Sequence, residues 1–301
     1  MLLKKLAVGC LSLALAQNAI TCTIDGNEGF LPENNLWLSP TSKGINTIDE
    51  ATFNKVIDEV TEIYAPIIEQ MGGNLVVERK WDDGTVNAYA QQIGTTWKVS
   101  MFGGLARHET ITADGFALVV CHEIGHHIGG APKKKSWWST SWASNEGQAD
   151  YFATTKCLRK HFRNDTTPEM IAKMEVPQLV VDECAEQFTS EMDRLICQRG
   201  AMAGMSTAKL FQHLRRSDVE PKFDTKDANV VSKTDHNHPA TQCRLDTYYA
   251  GALCDISDMV DVDQEDESIG VCYENSGDTV GVRPKCWFKA ANASGGGWPW
   301  M

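Results

Sequence analysis

Residues 112–128 read T-A-D-G-F-A-L-V-V-C-H-E-I-G-H-H-I, and G-G-A-P follows them. The run has the length and end signals of a helix: apolar residues throughout, two glycines at the C-terminal end and a proline just beyond. A helix that is apolar nearly all round is buried rather than laid on a surface. The rest of the chain must therefore be built around it. This helix also carries His122, Glu123 and His126, and buried polar groups are costly unless the fold supplies partners.

The spacing says what those partners do. Residues four apart share one helix face, so His122 and His126 project side by side. Glu123 is one step around the helix. Two imidazoles at this spacing suit a single metal ion, and a hydrolytic zinc site needs three protein ligands with one position open. The third ligand is expected in N-E-G-Q-A-D, residues 145–150. Glu146 lies twenty residues past His126, enough for a loop and the first turn of a returning helix. Asp150, one turn later on the same face, is placed to accept the outer N–H of a ligating histidine. An isolated H-E-x-x-H recurs by accident; the added Glu and Asp at helical spacing decide for a site. The expectation is one Zn2+ per chain held by His122, His126 and Glu146, with Asp150 orienting a ligand.

Around this helix the periodicities give an α+β fold, a small sheet beside a mainly helical body. Apolar residues recur at helical spacing over 45–70. Strand-like runs follow at 75–81, 86–93 and 96–102, broken by Asp83-Gly84 and Gly94. Helices are expected at 145–162, 168–174, 176–188, 191–214 and 239–251. A polar and aromatic loop is expected over 133–144, where Lys133 to Trp142 mixes lysines and tryptophans. It suits a gate or an envelope or membrane-surface contact, against the plainer reading of a solvated loop. His127 points to a different helix face from His126 and reads as structural or solvent-facing.

The chain ends divide as follows. M-L-L-K-K, a short apolar run and A-L-A give a signal peptide over 1–16. An N-terminal extension covers 17–44, the main domain 45–251, and an acidic, cysteine-containing tail 252–301. The apolar run is too short to span a bilayer, and no later stretch is a spanning candidate. The formal charge of −12 argues against nucleic-acid binding, which relies on Lys and Arg. Nine cysteines remain after residue 16, and an exported chain with so many forms disulfides. The short loops Cys184–Cys197, Cys243–Cys254 and Cys272–Cys286 are the expected pairs. Asp261, Asp263, Glu265, Asp266 and Glu267 lack the Gly and Glu spacing of a calcium loop and read as a solvated acidic loop.

In motif content the chain resembles the HtpX/CaaX-prenyl-protease family of zinc metallopeptidases, which are gluzincins. The matching stretches are V-N-A-Y-A (Val86 to Ala90), F-G-G-L (Phe102 to Leu105), H-E-I-G-H, E-G-Q-A-D and H-P-A-T-Q-C-R (His238 to Arg244). The resemblance covers roughly residues 45–251 and implies a zincin-like fold and an endopeptidase acting on polypeptide. It implies that Glu123 is the general base. It also implies that Asn87, Ala88, Tyr89 and Ala90 form a cleft-edge strand pairing with extended substrate, and that His238 comes to the active site. There His238 is either an oxyanion donor or a latch, and Arg244 anchors its segment on a carboxylate. This chain differs from integral-membrane members in lacking spanning helices. With the signal, the expectation is an exported enzyme, periplasmic or secreted. The competing readings are a latent zinc-binding chaperone or binding module, and a secreted thermolysin-like digestive peptidase.

Overall fold

The structure is a computed structural model, and it describes residues 29–41, 48–135 and 139–291. The signal at 1–16, Cys10, Cys22, Trp137, Trp138 and the glycine-rich end lie outside the described residues.

Helix α1 (Glu50–Gln70) starts at Asp49, whose side chain accepts the Thr52 N–H. That cap places the start five residues later than periodicity alone suggests. Phe53, Val56, Ile57, Val60, Tyr64 and Ile68 form its buried stripe. Strands β1 (Asn74–Lys80), β2 (Ala88–Ile93) and β3 (Thr96–Phe102) form one sheet in the order β1-β3-β2. β1 runs parallel to β3, and β2 turns back antiparallel through Gly94, which holds a positive φ of 58°. The sheet is thus mixed, and among the described strands β2 is the last in the order.

The short helix α2 (Gly103–Ala106) leads to α3 (Ala113–Ile128). Thr112 caps α3 by accepting the Gly115 N–H, and every residue from Gly115 to Ile128 is buried. The chain then makes a small antiparallel hairpin, β4 (Lys133–Lys135) and β5 (Thr140–Ser144), where a loop was expected. Helix α4 (Glu146–Phe152) passes into a π turn (Ala153–Cys157) and α5 (Leu158–Phe162). Helices α6 (Pro168–Ile171), α7 (Gln178–Gln187), α8 (Glu191–Leu214) and α9 (Thr241–Leu253) complete the helical body. The α+β class holds. Among the described residues, no helix is long and apolar enough to cross a membrane.

The largest core cluster joins α1, the sheet and α3. A separate cluster gathers Tyr151 of α4 with Cys243, Cys254, Val271, Cys272, Tyr273, Trp287 and Phe288. The acidic stretch beyond α9 therefore packs on the helix that carries Glu146.

Among the described residues four disulfides form: Cys121–Cys157, Cys184–Cys197, Cys243–Cys286 and Cys254–Cys272. The second matches expectation, but the expected pairs Cys243–Cys254 and Cys272–Cys286 are overturned. Cys243 lies in the first turn of α9 and Cys254 caps its end. Eleven residues of helix rise about 16 Å, far beyond the 4.4–6.8 Å Cα spacing of a disulfide. Each reaches instead into the C-terminal segment.

Candidate metal centre

α3 and α4 meet at the site. Asn145 caps α4 by accepting the Gln148 N–H. This fixes Glu146 in the first turn and Asp150 one turn on, both facing α3. His122, His126 and Glu146 are all buried, and one ligand atom from each lies within 4.8 Å of the others. The two Nε2 atoms are 3.0 Å apart, and Glu146 oxygens stand 3.4 Å from His122 Nε2 and 3.6 Å from His126 Nε2.

The outer ring nitrogens fix the tautomers. His126 Nδ1 is 2.9 Å from the Ser144 carbonyl oxygen. A carbonyl only accepts, so Nδ1 carries the proton and Nε2 presents a lone pair. His122 Nδ1 is 2.7 Å from Asp150 Oδ1, and the same oxygen accepts from Arg244 Nη2 at 2.5 Å and from the Tyr248 hydroxyl at 3.0 Å. Asp150 is thereby held as a carboxylate. Burial alone would raise its pKa, but Arg244 and His122 outweigh that and lower it. His122 therefore donates from Nδ1 as well. Both Nε2 atoms converge beside a carboxylate, and ligand atoms about 2.0–2.1 Å from one tetrahedral ion lie about 3.3 Å apart. The donor set fits a metal ion, and this group can hold one.

Charge balance agrees. Burial pushes His126 down to about 4, against the pull of Glu146. Burial also disfavours charge on His122, but Asp150 and Glu146 together raise it to about 9, so a cation bound at Nε2 takes the place of a proton there. Desolvation opposes ionisation of Glu146, yet His238 and His126 bring it well below the usual carboxylate range. The pocket favours an anionic carboxylate beside a positive centre.

No family model matches this chain, nor does any curated protein or solved structure. The site is read on its own geometry.

Glu123 is wholly buried on α3, next to His122. His238 Nδ1 is 3.2 Å from Glu146 Oε2 and 3.4 Å from Arg244 Nη1, so its segment, 112 positions beyond His126, does reach the metal group. His127 is packed rather than solvent-facing: Trp97 and Trp142 stack on it at 5.5 and 5.0 Å. Half-buried Trp142 is thus engaged with His127, and Lys133 Nζ donates to its carbonyl.

Of the expected substrate strand, Ala88, Tyr89 and Ala90 lie within β2. The Ala88 carbonyl accepts from the Phe30 N–H, and the Asn87 amide is bonded to Leu31. Asn87 is 2 % exposed, so it serves the chain's own N-terminal segment. Sequence reasoning missed Tyr248, Phe30 and the Ser144 carbonyl. Tyr248 alone left a signal, one turn after Arg244 on a helix; a carbonyl and a distant Phe leave none.

Proposed function

We propose that this chain is an exported, zinc-dependent endopeptidase with a zincin-like fold. The observation that carries the reading is the convergence of the two Nε2 atoms and Glu146, with both Nδ1 atoms committed elsewhere and Glu123 adjacent. His122, His126 and Glu146 would hold the ion. Bound zinc supplies a Lewis acid that polarises a carbonyl and lowers the pKa of water toward 7.

The remaining work falls to the protein. Glu123 takes the proton of the attacking water and returns it to the leaving amine, a role typically worth about 10²–10⁴-fold. Its burial keeps that carboxylate out of bulk water and close to the ligand face of α3. Asp150 holds His122 in one tautomer and one orientation. In our reading His238, beside Glu146, donates to the oxyanion that develops on the scissile carbonyl.

The test uses the full chain and the variant Glu123→Gln. The unaltered protein is expected to bind one zinc and to cleave unfolded protein in a chelator-sensitive manner. Glu123→Gln is expected to keep the zinc and lose cleavage by at least about 10²-fold. A zinc-loaded, folded wild type without peptidase activity would favour a binding module. Loss of zinc from a folded Glu123→Gln protein would make Glu123 a ligand and sink this division of roles.

A further inference from the structure

Phe30 and Leu31 lie ahead of the expected domain, yet both are wholly buried in the main core. They form a short strap locked to the sheet. The Phe30 N–H donates to the Ala88 carbonyl at 2.9 Å. Leu31 is held twice by Asn87: its N–H donates to Oδ1 at 2.9 Å, and its carbonyl accepts from Nδ2 at 3.0 Å. Gly29 passes so close to β2 that a Cβ there would sit 2.2 Å from the Ala88 carbonyl oxygen.

The other side of the strap faces the metal group. The Phe30 ring meets the His122 imidazole edge-on, with centroids 4.9 Å apart. The Arg244 guanidinium lies 4.6 Å from the Phe30 ring centroid and 4.0 Å from that of Phe211, and its Nη1 donates to the Phe30 carbonyl at 3.1 Å. Arg244 in turn grips Asp150, which orients His122.

We propose that Phe30 is a positioning residue of the metal centre, fixing His122 directly through its ring and indirectly through Arg244 and Asp150. The inference rests on reading His122, His126 and Glu146 as metal ligands. Its physical basis is that Arg244 packs against the Phe30 and Phe211 rings, which meet each other edge-on at 5.2 Å, and is held at its fork by the Phe30 carbonyl and Asp150. Without the Phe30 ring, Arg244 and His122 both gain room to turn about the Asp150 oxygen they share, and the Nε2 lone pair loses its aim. The strap also closes the Asn87–Ala88 end of β2 to any incoming peptide. Positioning His122 and closing this end of β2 thus share one anchor, supplied from the N-terminal segment.

The test is zinc affinity by competition with a chromophoric chelator, with the visible spectrum of the cobalt-loaded protein as a reporter of ligand geometry. Phe30→Leu keeps the main-chain pairing and removes the ring. It is expected to weaken zinc binding about tenfold, the lower end of what an outer partner of a metal ligand contributes, and to alter the cobalt spectrum. Phe53→Leu is the control: Phe53 is equally buried in the same core but packs on Trp81 and Phe116. It should lower Tm while leaving zinc affinity and spectrum unchanged. Should Phe30→Leu fail to fold, Gly29→Ala, which pushes the strap off Ala88, is expected to give the same loss. Wild-type affinity and spectrum in a folded Phe30→Leu or Gly29→Ala protein would overturn the proposal. Failure of the unaltered chain to take up zinc or cobalt would sink the metal reading and this inference together. Binding that is indifferent to the substitutions sinks the positioning role alone.

Discussion

Asp150 Oδ1 accepts from an imidazole, a guanidinium and a phenol, all of them buried. Removing its charge has two separable costs. Asp150→Asn is expected to weaken zinc binding about 10–100-fold through His122. It also leaves Arg244 buried beside a neutral amide, and breaking a buried ion pair typically costs about 3–5 kcal/mol. Zinc competition and urea denaturation read the two effects, and unchanged values in both would refute the partnership. The E-x-x-x-D spacing made Asp150 legible because helical geometry is local. Its partners Arg244 and Tyr248 come from α9, and only the topology brings that helix here. His108 supports a different residue-scale expectation. Burial, then nearby His213, hold its pKa down at about 4 from an ordinary 6.5, with Glu109 opposing. Its Nδ1 accepts the Thr110 N–H and must stay unprotonated. Between pH 6.5 and 4 the unfolded chain takes up a proton that the folded chain refuses, so stability falls as pH falls through that window. It is fully present above 6.5. Thermal unfolding across this range should show a shallower slope for His108→Gln, and equal slopes would discard the assignment.

At the scale of elements, α3 and the α4–π–α5 run must be held in register for His122, His126 and Glu146 to form one group able to hold a metal ion. Cys121 immediately precedes His122, and its disulfide to Cys157 ties α3 to the end of the π turn. Removing this cross-link as Cys121→Ala/Cys157→Ala is expected to lower unfolding free energy by about 2–4 kcal/mol. Zinc affinity should fall with it, because the register between the ligand helices is then set by packing alone. The comparison is Cys184→Ala/Cys197→Ala, a bridge between α7 and α8 away from the ligands, which should cost stability without altering zinc affinity. Equal zinc affinity in both double variants would mean the clamp does nothing for the site. Helices α3 and α8 and the three-stranded sheet were legible because apolar period, caps and glycine breaks are written locally. The β4–β5 hairpin was not, since its strands are short and its apolar residues do not alternate. The disulfide pairings were not either: loop length favours near neighbours, whereas α9 is a rod that keeps Cys243 and Cys254 apart.

Across the whole molecule, segments from both sides of the central domain close over the ligand helices. The strap at Phe30 covers His122, and the segment after α9 covers α4. Trp287 is wholly buried there, its Nε1 donating to Thr247 Oγ1 at 3.0 Å. Its ring lies where Gly147, next to Glu146, would carry a Cβ: the nearest ring carbon would be 2.3 Å away. Gly147 is therefore glycine for want of space, and the C-terminal segment sets the position of the first turn of α4. Two single substitutions should both be harmful. Trp287→Leu opens a cavity, and loss of large buried side chains typically costs about 3–5 kcal/mol for a full truncation to alanine; the smaller change to leucine should cost less. Gly147→Ala overpacks the contact, typically about 1–3 kcal/mol, and should weaken zinc binding by displacing Glu146. The double variant puts the new methyl into the space that the ring vacates. Its cost should therefore be less than the sum of the singles, by about 0.5–3 kcal/mol for residues in contact, and zinc affinity should recover part of the Gly147→Ala loss. Additive stabilities with no recovery of zinc binding would show that the C-terminal segment merely covers α4 and does not position its ligand.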